Sequence, residues 1–275
     1  MKSPMRWLKR HKELKKNASR RIEIEAALEQ REGHKIKLSP AAAKGGYDEI
    51  YYASKKGSRF AVVRINSLHK IINDPIGPLD PSIPLGPVDR LNREWDAYEQ
   101  LAPDGLSPEP LWRSGHAIAC SWLPWERLSG YLTKNRAELW KVLSNVFPLI
   151  SRMHSLGVIH LDLNLGNILI DPNSEKLAVI DFEFGPVEWV NQEQQMAFDY
   201  LRLIDDCLKP RRGGKVLLED PNKLIELLRQ RVPEQTRNAD LHFVYSKLQR
   251  LQQQPELCVL LQTIFINLPD PRTEE

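Results

Sequence analysis

His160-Leu161-Asp162-Leu163-Asn164-Leu165-Gly166-Asn167 opens the stretch on which the reading of this chain turns. It runs on through Ile168-Leu169-Ile170, turns at Asp171-Pro172-Asn173, and returns as Leu177-Ala178-Val179-Ile180 to Asp181-Phe182-Glu183. Two short apolar runs joined by an Asp/Pro/Asn turn form a β-ribbon. Asn167 lies five residues after Asp162, and Asp181 lies fourteen after Asn167. Three oxygen-bearing side chains thus fall at the ends of the ribbon. One reading is a polar turn with a capping Asp. The other is a site, because three such groups have no packing purpose there.

Upstream, Leu139, Val142, Leu143, Val146, Ile150 and Met153 recur at helical spacing. Pro148 is expected to kink that helix and Gly157 to close it. Ala117–Trp122 reads as a strand broken by Leu123-Pro124. Before it, a helix is expected from Asp89, with Leu91, Trp95 and Tyr98 on one face. Glu94 shares that face, and a carboxylate there wants a buried cation. Pro75, Pro78, Pro81, Pro84 and Pro87 fall at every third position, the repeat of polyproline II. They predict a stiff connector or a docking edge, and neither a helix nor a central strand. Further back, Lys35–Leu38, Ile50–Ala53 and Phe60–Ile65 read as strands. Ala41–Gly46 and Lys55-Lys56-Gly57 read as turns between them. A helix over about Arg20–Gln30, capped by Ser19 and ended by Gly33, precedes the strands. Downstream of about Asn191 the pattern is helical, with a basic turn at Lys209–Lys215. That turn is either a contact for an acidic sugar or lipid phosphate, or a solvated loop. Strands with one helix, then helices around a ribbon, predict an α+β chain with a small β-rich lobe and a larger α-rich one.

The pattern H-x-D-x-x-x-x-N followed by Asp-Phe resembles the catalytic loop and metal turn of the protein-kinase-like superfamily. The resemblance implies a bilobed fold, ATP and Mg²⁺. Asp162 would accept or orient the proton of an acceptor hydroxyl. Asn167 and Asp181 would offer oxygens to Mg²⁺, which favours hard ligands. His160 would brace the loop backbone. Arg64, in Ala61-Val62-Val63-Arg64, stands where the family has a phosphate-holding Lys, and Glu94 is the matching helix acid. Arg holds carboxylate or phosphate bidentately but is no neutral exchange for Lys. Gly45-Gly46 stands for the phosphate-covering turn without the usual glycine spacing. Leu123 falls where adenine would meet backbone groups at the lobe junction.

Several departures point away from regulated protein kinases. The metal turn reads Asp-Phe-Glu, Asn164 stands two residues after Asp162 where Ser/Thr kinases have Lys, and no Ala-Pro-Glu follows. Only 18 residues separate Asp181 from Asp199. The pattern is most similar to bacterial lipopolysaccharide kinases, including those acting on 3-deoxy-manno-octulosonic acid (Kdo). This implies a sugar or glycolipid hydroxyl as acceptor. Asp199 matches an acid that braces the catalytic loop in that family; the alternative is a surface acid opposite Arg202. Arg64 and the irregular glycine turn keep two other readings in view. One is a pseudokinase or scaffold that binds nucleotide without transfer, and the other an atypical protein Ser/Thr kinase.

The remaining composition sets the surroundings. The chain has 275 residues, 41% hydrophobic and 27% charged, enough for a bilobed domain with a sizeable core. Three cysteines without a C-x-x-C pair predict neither a disulfide framework nor a zinc ribbon. Residues 1–21 hold nine Lys/Arg against Glu13 alone, a net +8 in a chain of net +3, so the other 254 residues sum to −5. A basic arm of this kind is either a frayed terminus or a peripheral contact with anionic membrane. Nucleic acid is the less expected partner. No apolar run reaches the length of a spanning helix, and the basic start lacks the apolar core of a secretory signal. A cytoplasmic protein, peripheral at the inner membrane face, is expected. The expected division is an arm and helix at 1–34, an N-lobe at 35–123 with a Pro-rich insert at 73–88, and a C-lobe at 124–275.

Overall fold

A computed structural model describes residues 18–41, 48–67, 80–245 and 247–272. The chain divides into two compact units, residues 1–71 with 110–122, and residues 72–109 with 123–275. The first unit opens with helix α1 (Ala18–Glu32) and strands β1 (Ile36–Pro40), β2 (Glu49–Lys55) and β3 (Ser58–Ile65). Strand β4 (Ser82–Pro84) and helix α2 (Pro87–Leu101) go to the second unit. Strands β5 (Pro110–Arg113) and β6 (Ala117–Ser121) return to the first.

The five strands of the first unit are antiparallel, in the order β1-β2-β3-β6-β5. The β2–β3 hairpin turns at Lys56 (φ 50°) and Gly57 (φ 83°), the pair of positive angles that a tight two-residue hairpin requires. Alternation puts Ala61, Val63 and Ile65 of β3 on the buried face. Ile24 and Leu28, one turn apart on α1, pack on that face with Ile36, Leu38 and Tyr51. Helix α1 also reaches the edge of the sheet. Glu29 Oε1 accepts the Ile36 N–H at 2.9 Å, and Glu25 Oε1 accepts the Leu38 N–H at 2.7 Å. Edge donors that would otherwise face outward are thereby bonded.

The second unit is mostly helical. A three-stranded ribbon is formed by β7 (Glu126–Arg127), β8 (Ile168–Ile170) and β9 (Leu177–Val179). Helix α3 (Leu128–Lys134) and the long α4 (Leu139–Ser155) lie between β7 and β8 in sequence. Helix α4 runs through Pro148 and buries Val142, Leu143, Val146, Phe147, Ile150 and Met153. Gly157, at φ 78°, follows it and closes the turn with its N–H on His154 O at 2.9 Å. Strand β10 (Phe184–Pro186) precedes helix α5 (Gln192–Cys207), whose first turn is closed by a capping box between Asn191 and Gln194. Short helices between residues 214 and 261 complete the unit.

The proline segment is described from Asp80 onward. Pro75 and Pro78 lie outside the described residues. Ser82–Pro84 pairs antiparallel with β10, Phe184 opposite Pro84. Both strands of a two-stranded ribbon are edges, so a missing N–H is tolerated. A Cβ at Gly185 would stand 2.6 Å from Leu85 Cδ2, so a side chain there would require Leu85 to move. Helix α2 starts at Pro87 rather than Asp89; a proline at the first helical position loses no intrahelical bond. Cys120, Cys207 and Cys258 are buried, with no disulfide among the described residues. Among the described residues no helix is long and apolar enough to cross a membrane.

Glu25→Ala removes the acceptor of the Leu38 N–H. A loss of about 1–2 kcal/mol is expected, read as a lower urea midpoint; Glu25→Gln, which keeps an acceptor oxygen, should recover most of it.

Candidate active site

The loop at 158–167 is placed by a buried carboxylate. Asp199, on α5, is fully buried. Its Oδ2 accepts the His160 N–H at 2.8 Å and lies 3.0 Å from His154 Nε2; its Oδ1 accepts the Leu161 N–H at 2.8 Å. Leu161 is thereby held at φ 68°, a conformation that non-glycine residues rarely adopt. Of the two sequence readings of Asp199, the loop brace matches these bonds. Arg202 pairs elsewhere.

His160 links the loop to Ile180, the residue that follows strand β9. Its Nε2 is 3.0 Å from Ile180 O, and its Nδ1 accepts the Asp162 N–H at 3.3 Å. With Nδ1 accepting, Nε2 carries the proton. The ring packs on Phe182, centroids 4.6 Å apart, and Phe182 meets Tyr98 edge-on at 6.0 Å. The Ile180 N–H bonds Asn167 O at 2.9 Å, extending the β8–β9 ladder by one step. Asn167 is therefore opposite Ile180, and Asp181 is the next residue, at φ 78°.

Asp162 is bonded at its carbonyl and at both carboxylate oxygens. Asn164 Nδ2 donates to its carbonyl at 2.9 Å and to Oδ2 at 3.2 Å. Asn167 Nδ2 donates to the same carbonyl at 3.1 Å and reaches Oδ2 at 3.5 Å. Arg202 holds Oδ1 through Nε at 3.2 Å and Nη2 at 3.1 Å. Burial pushes the Asp162 carboxyl above the usual carboxylate range, against the Arg202 guanidinium; the nearby Asp181 pushes it further up. The side chain keeps 27% of its surface open.

Asp162 and Asn167 are thus in contact, and Asp181 follows the strand position bonded to Asn167. The Asn167 amide nitrogen is turned to Asp162, which leaves its Oδ1 as the acceptor for another partner. An amide oxygen and a carboxylate are the donor types that suit a hard divalent cation. Among the described residues there is no group of three or more His, Cys, Asp or Glu able to hold a metal.

The nucleotide-side residues are spread over both units. Arg64 Nη1 lies 3.8 Å from Asp48 Oδ2, within the first unit. Glu94, buried on α2, accepts the Tyr98 hydroxyl at 2.5 Å. Leu123 follows β6 and starts the second unit's longer segment. Gly45 and Gly46 lie outside the described residues.

Three contributors escaped the sequence reading. Arg202 pairs with Asp162, and its Nη1 is 3.7 Å from Asp205 Oδ2. Asp206, nearly fully buried, accepts the Leu165 N–H at 3.1 Å and pairs with Lys209 at 2.6 Å and with Arg212. The basic turn is thus neither a free solvated loop nor an open anion site at those two cations; it is tied through Asp206 to the loop at 158–167. Arg127 Nη1 donates to Gly166 O at 2.6 Å. The helical spacing of Asp199, Arg202 and Asp206 was the available signal, since i, i+3 and i+7 share one face.

These features define a protein-kinase-like α+β fold, with a β-sheet unit and an α-helical unit that carries the loop and ribbon. Residues 122–204 match the model of the lipopolysaccharide kinase (Kdo/WaaP) family. No curated protein matches it significantly. Among solved structures, a cysteine-to-alanine mutant of the Mycobacterium tuberculosis PknI kinase domain is similar, at 13% identity. That match covers 61% of this chain and 73% of that one, with a TM-score of 0.40.

Asp206 yields a pH test. Burial opposes its charge, but Lys209, Arg212 and the Leu165 N–H outweigh it and hold the carboxyl below its ordinary value. A lowered native pKa adds stability that is fully present above the unfolded value of about 3.9 and is lost as pH falls through the native one. Asp206→Asn should therefore destabilise at pH 7, and the gap to wild type in urea unfolding should narrow below about pH 4.

Proposed function

We propose that the chain is an ATP- and Mg²⁺-dependent phosphotransferase acting on a hydroxyl of a sugar, glycolipid or other small molecule. The observation that supports this is that the Asn167 nitrogen is spent on Asp162, while the Asn167 carbonyl is bonded by Ile180, the residue before Asp181. Asp162, anchored at both oxygens and still partly open, would orient an acceptor hydroxyl and accept its proton. Asn167 Oδ1 and the Asp181 carboxylate would hold the cation. Bound Mg²⁺ supplies charge neutralisation on the phosphate oxygens. Arg64 would hold nucleotide phosphates, and Glu94, Gly45, Gly46 and Leu123 are the further candidates for nucleotide binding. The match at 122–204 to a family named for lipopolysaccharide kinases favours a sugar or glycolipid acceptor over a protein.

The decisive assay is γ-labelled ATP with a lysate separated into lipid, sugar and protein pools. Label is expected in the lipid or sugar pool, and Asp162→Asn should lower it by about 10²-fold or more. Label confined to protein would make the chain an atypical protein kinase. Nucleotide binding without any transfer would make it a pseudokinase.

The same proposal places the chain at the inner face of a membrane, through the basic residues of 1–21. Each basic residue near an anionic surface contributes about 1 kcal/mol. Removal of 1–21 should weaken sedimentation with phosphatidylserine vesicles and leave the behaviour with neutral vesicles unchanged. Equal binding to anionic vesicles would remove the membrane from the proposal.

A further inference from the structure

We propose that Arg202 is the positioning residue for Asp162, supplying from helix α5 the cation that the catalytic loop itself lacks at Asn164. This rests on the phosphotransferase reading above and deepens it.

A carboxylate that must meet an incoming hydroxyl has to present one oxygen in a fixed direction, and a displacement of about 1 Å in such a group costs about 10²-fold in rate. The loop supplies only part of that control. Asn164 and Asn167 reach Oδ2 through neutral amides, at 3.2 and 3.5 Å. Oδ1 receives two donors of one rigid guanidinium, at 3.2 and 3.1 Å. The amide bonds have one ionised partner, whereas the Arg202 bonds have two and carry the attraction of a full ion pair, so Arg202 is the strongest hold on the carboxylate.

Arg202 is itself held. Its Nη1 is 3.7 Å from Asp205 Oδ2. Asp205 is buried and bonded by Arg250 N at 2.7 Å, Leu251 N at 3.0 Å and Arg250 Nη1 at 2.8 Å. The chain Arg250–Asp205–Arg202–Asp162 therefore runs from the C-terminal helices to the loop. On α5, Asp199 holds residues 160 and 161, Arg202 holds 162, and Asp206 holds 165. One helix face thus grips the loop at three successive points, and only the middle grip is on a side chain that would touch substrate. Arg202 also separates the charge of Asp162 from that of Asp205.

The test uses the full chain with Arg202→Lys, Arg202→Gln and Arg202→Ala. Transfer by the Gln and Ala variants should fall about 10- to 100-fold in kcat, with KM for ATP within about threefold of wild type. Lys should recover part of the loss, since it restores charge without the fork. Added guanidinium should restore part of the activity of Arg202→Ala and none of Asp162→Asn. Wild-type kcat in Arg202→Gln, or a loss without guanidinium rescue, overturns the proposal. A thermal-unfolding cycle of Arg202→Gln, Asp162→Asn and the double variant reads the pair without turnover. Sub-additive losses support it, and additive losses overturn it. If wild type transfers no phosphate to any pool, the phosphotransferase reading fails, and this cycle still decides whether Arg202 sets Asp162.

Discussion

One buried carboxylate organises the second unit. Asp199 has no exposure, and such a charge is costly unless every oxygen is bonded. It is satisfied by the His160 and Leu161 N–H groups and by His154. The same bonds keep Leu161 in a left-handed conformation that would otherwise relax. That conformation turns the chain so that Asp162 leaves the core and reaches the surface. His160 then carries the restraint across to Ile180, and the ladder bond from Ile180 to Asn167 closes the circuit. Position and strain are thus set by a group that makes no contact with the proposed reactants.

The cations around the loop follow from this arrangement. Asp199, Asp205 and Asp206 put three buried carboxylates on one helix, and two of them pair with Arg or Lys. Lys209 and Arg212 are drawn in to Asp206, and Arg202 is drawn between Asp205 and Asp162. A basic turn that reads as solvent-facing in one dimension is structural in three.

Much of the architecture was legible. Alternation exposed the strands, Lys56-Gly57 marked a hairpin that needs two positive φ angles, and the loop motif marked Asp162, Asn167 and Asp181 as a set. The proline repeat left one pairing unread. Its period matched polyproline II, but period alone does not reveal that a second strand, 184–186, is available to pair with it. Nor did helix α1 disclose that Glu25 and Glu29 would serve as acceptors for β1, because the helical pattern identifies a face and not its neighbour.

What the amino-acid order determined by itself was local: which segments are strands or helices, and that two acids and an amide recur at the ends of one ribbon. Those properties depend on side-chain periodicity and turn chemistry over a few residues. What only the tertiary structure decided was which distant groups meet: Arg202 on Asp162, 40 residues apart, Asp206 on Leu165, and Asp199 on residues 160 and 161. Helical spacing placed these three side chains on one face. The bonding partners came from packing, because a buried charge is satisfied by whatever donor the fold brings within reach, and sequence separation carries no record of that distance.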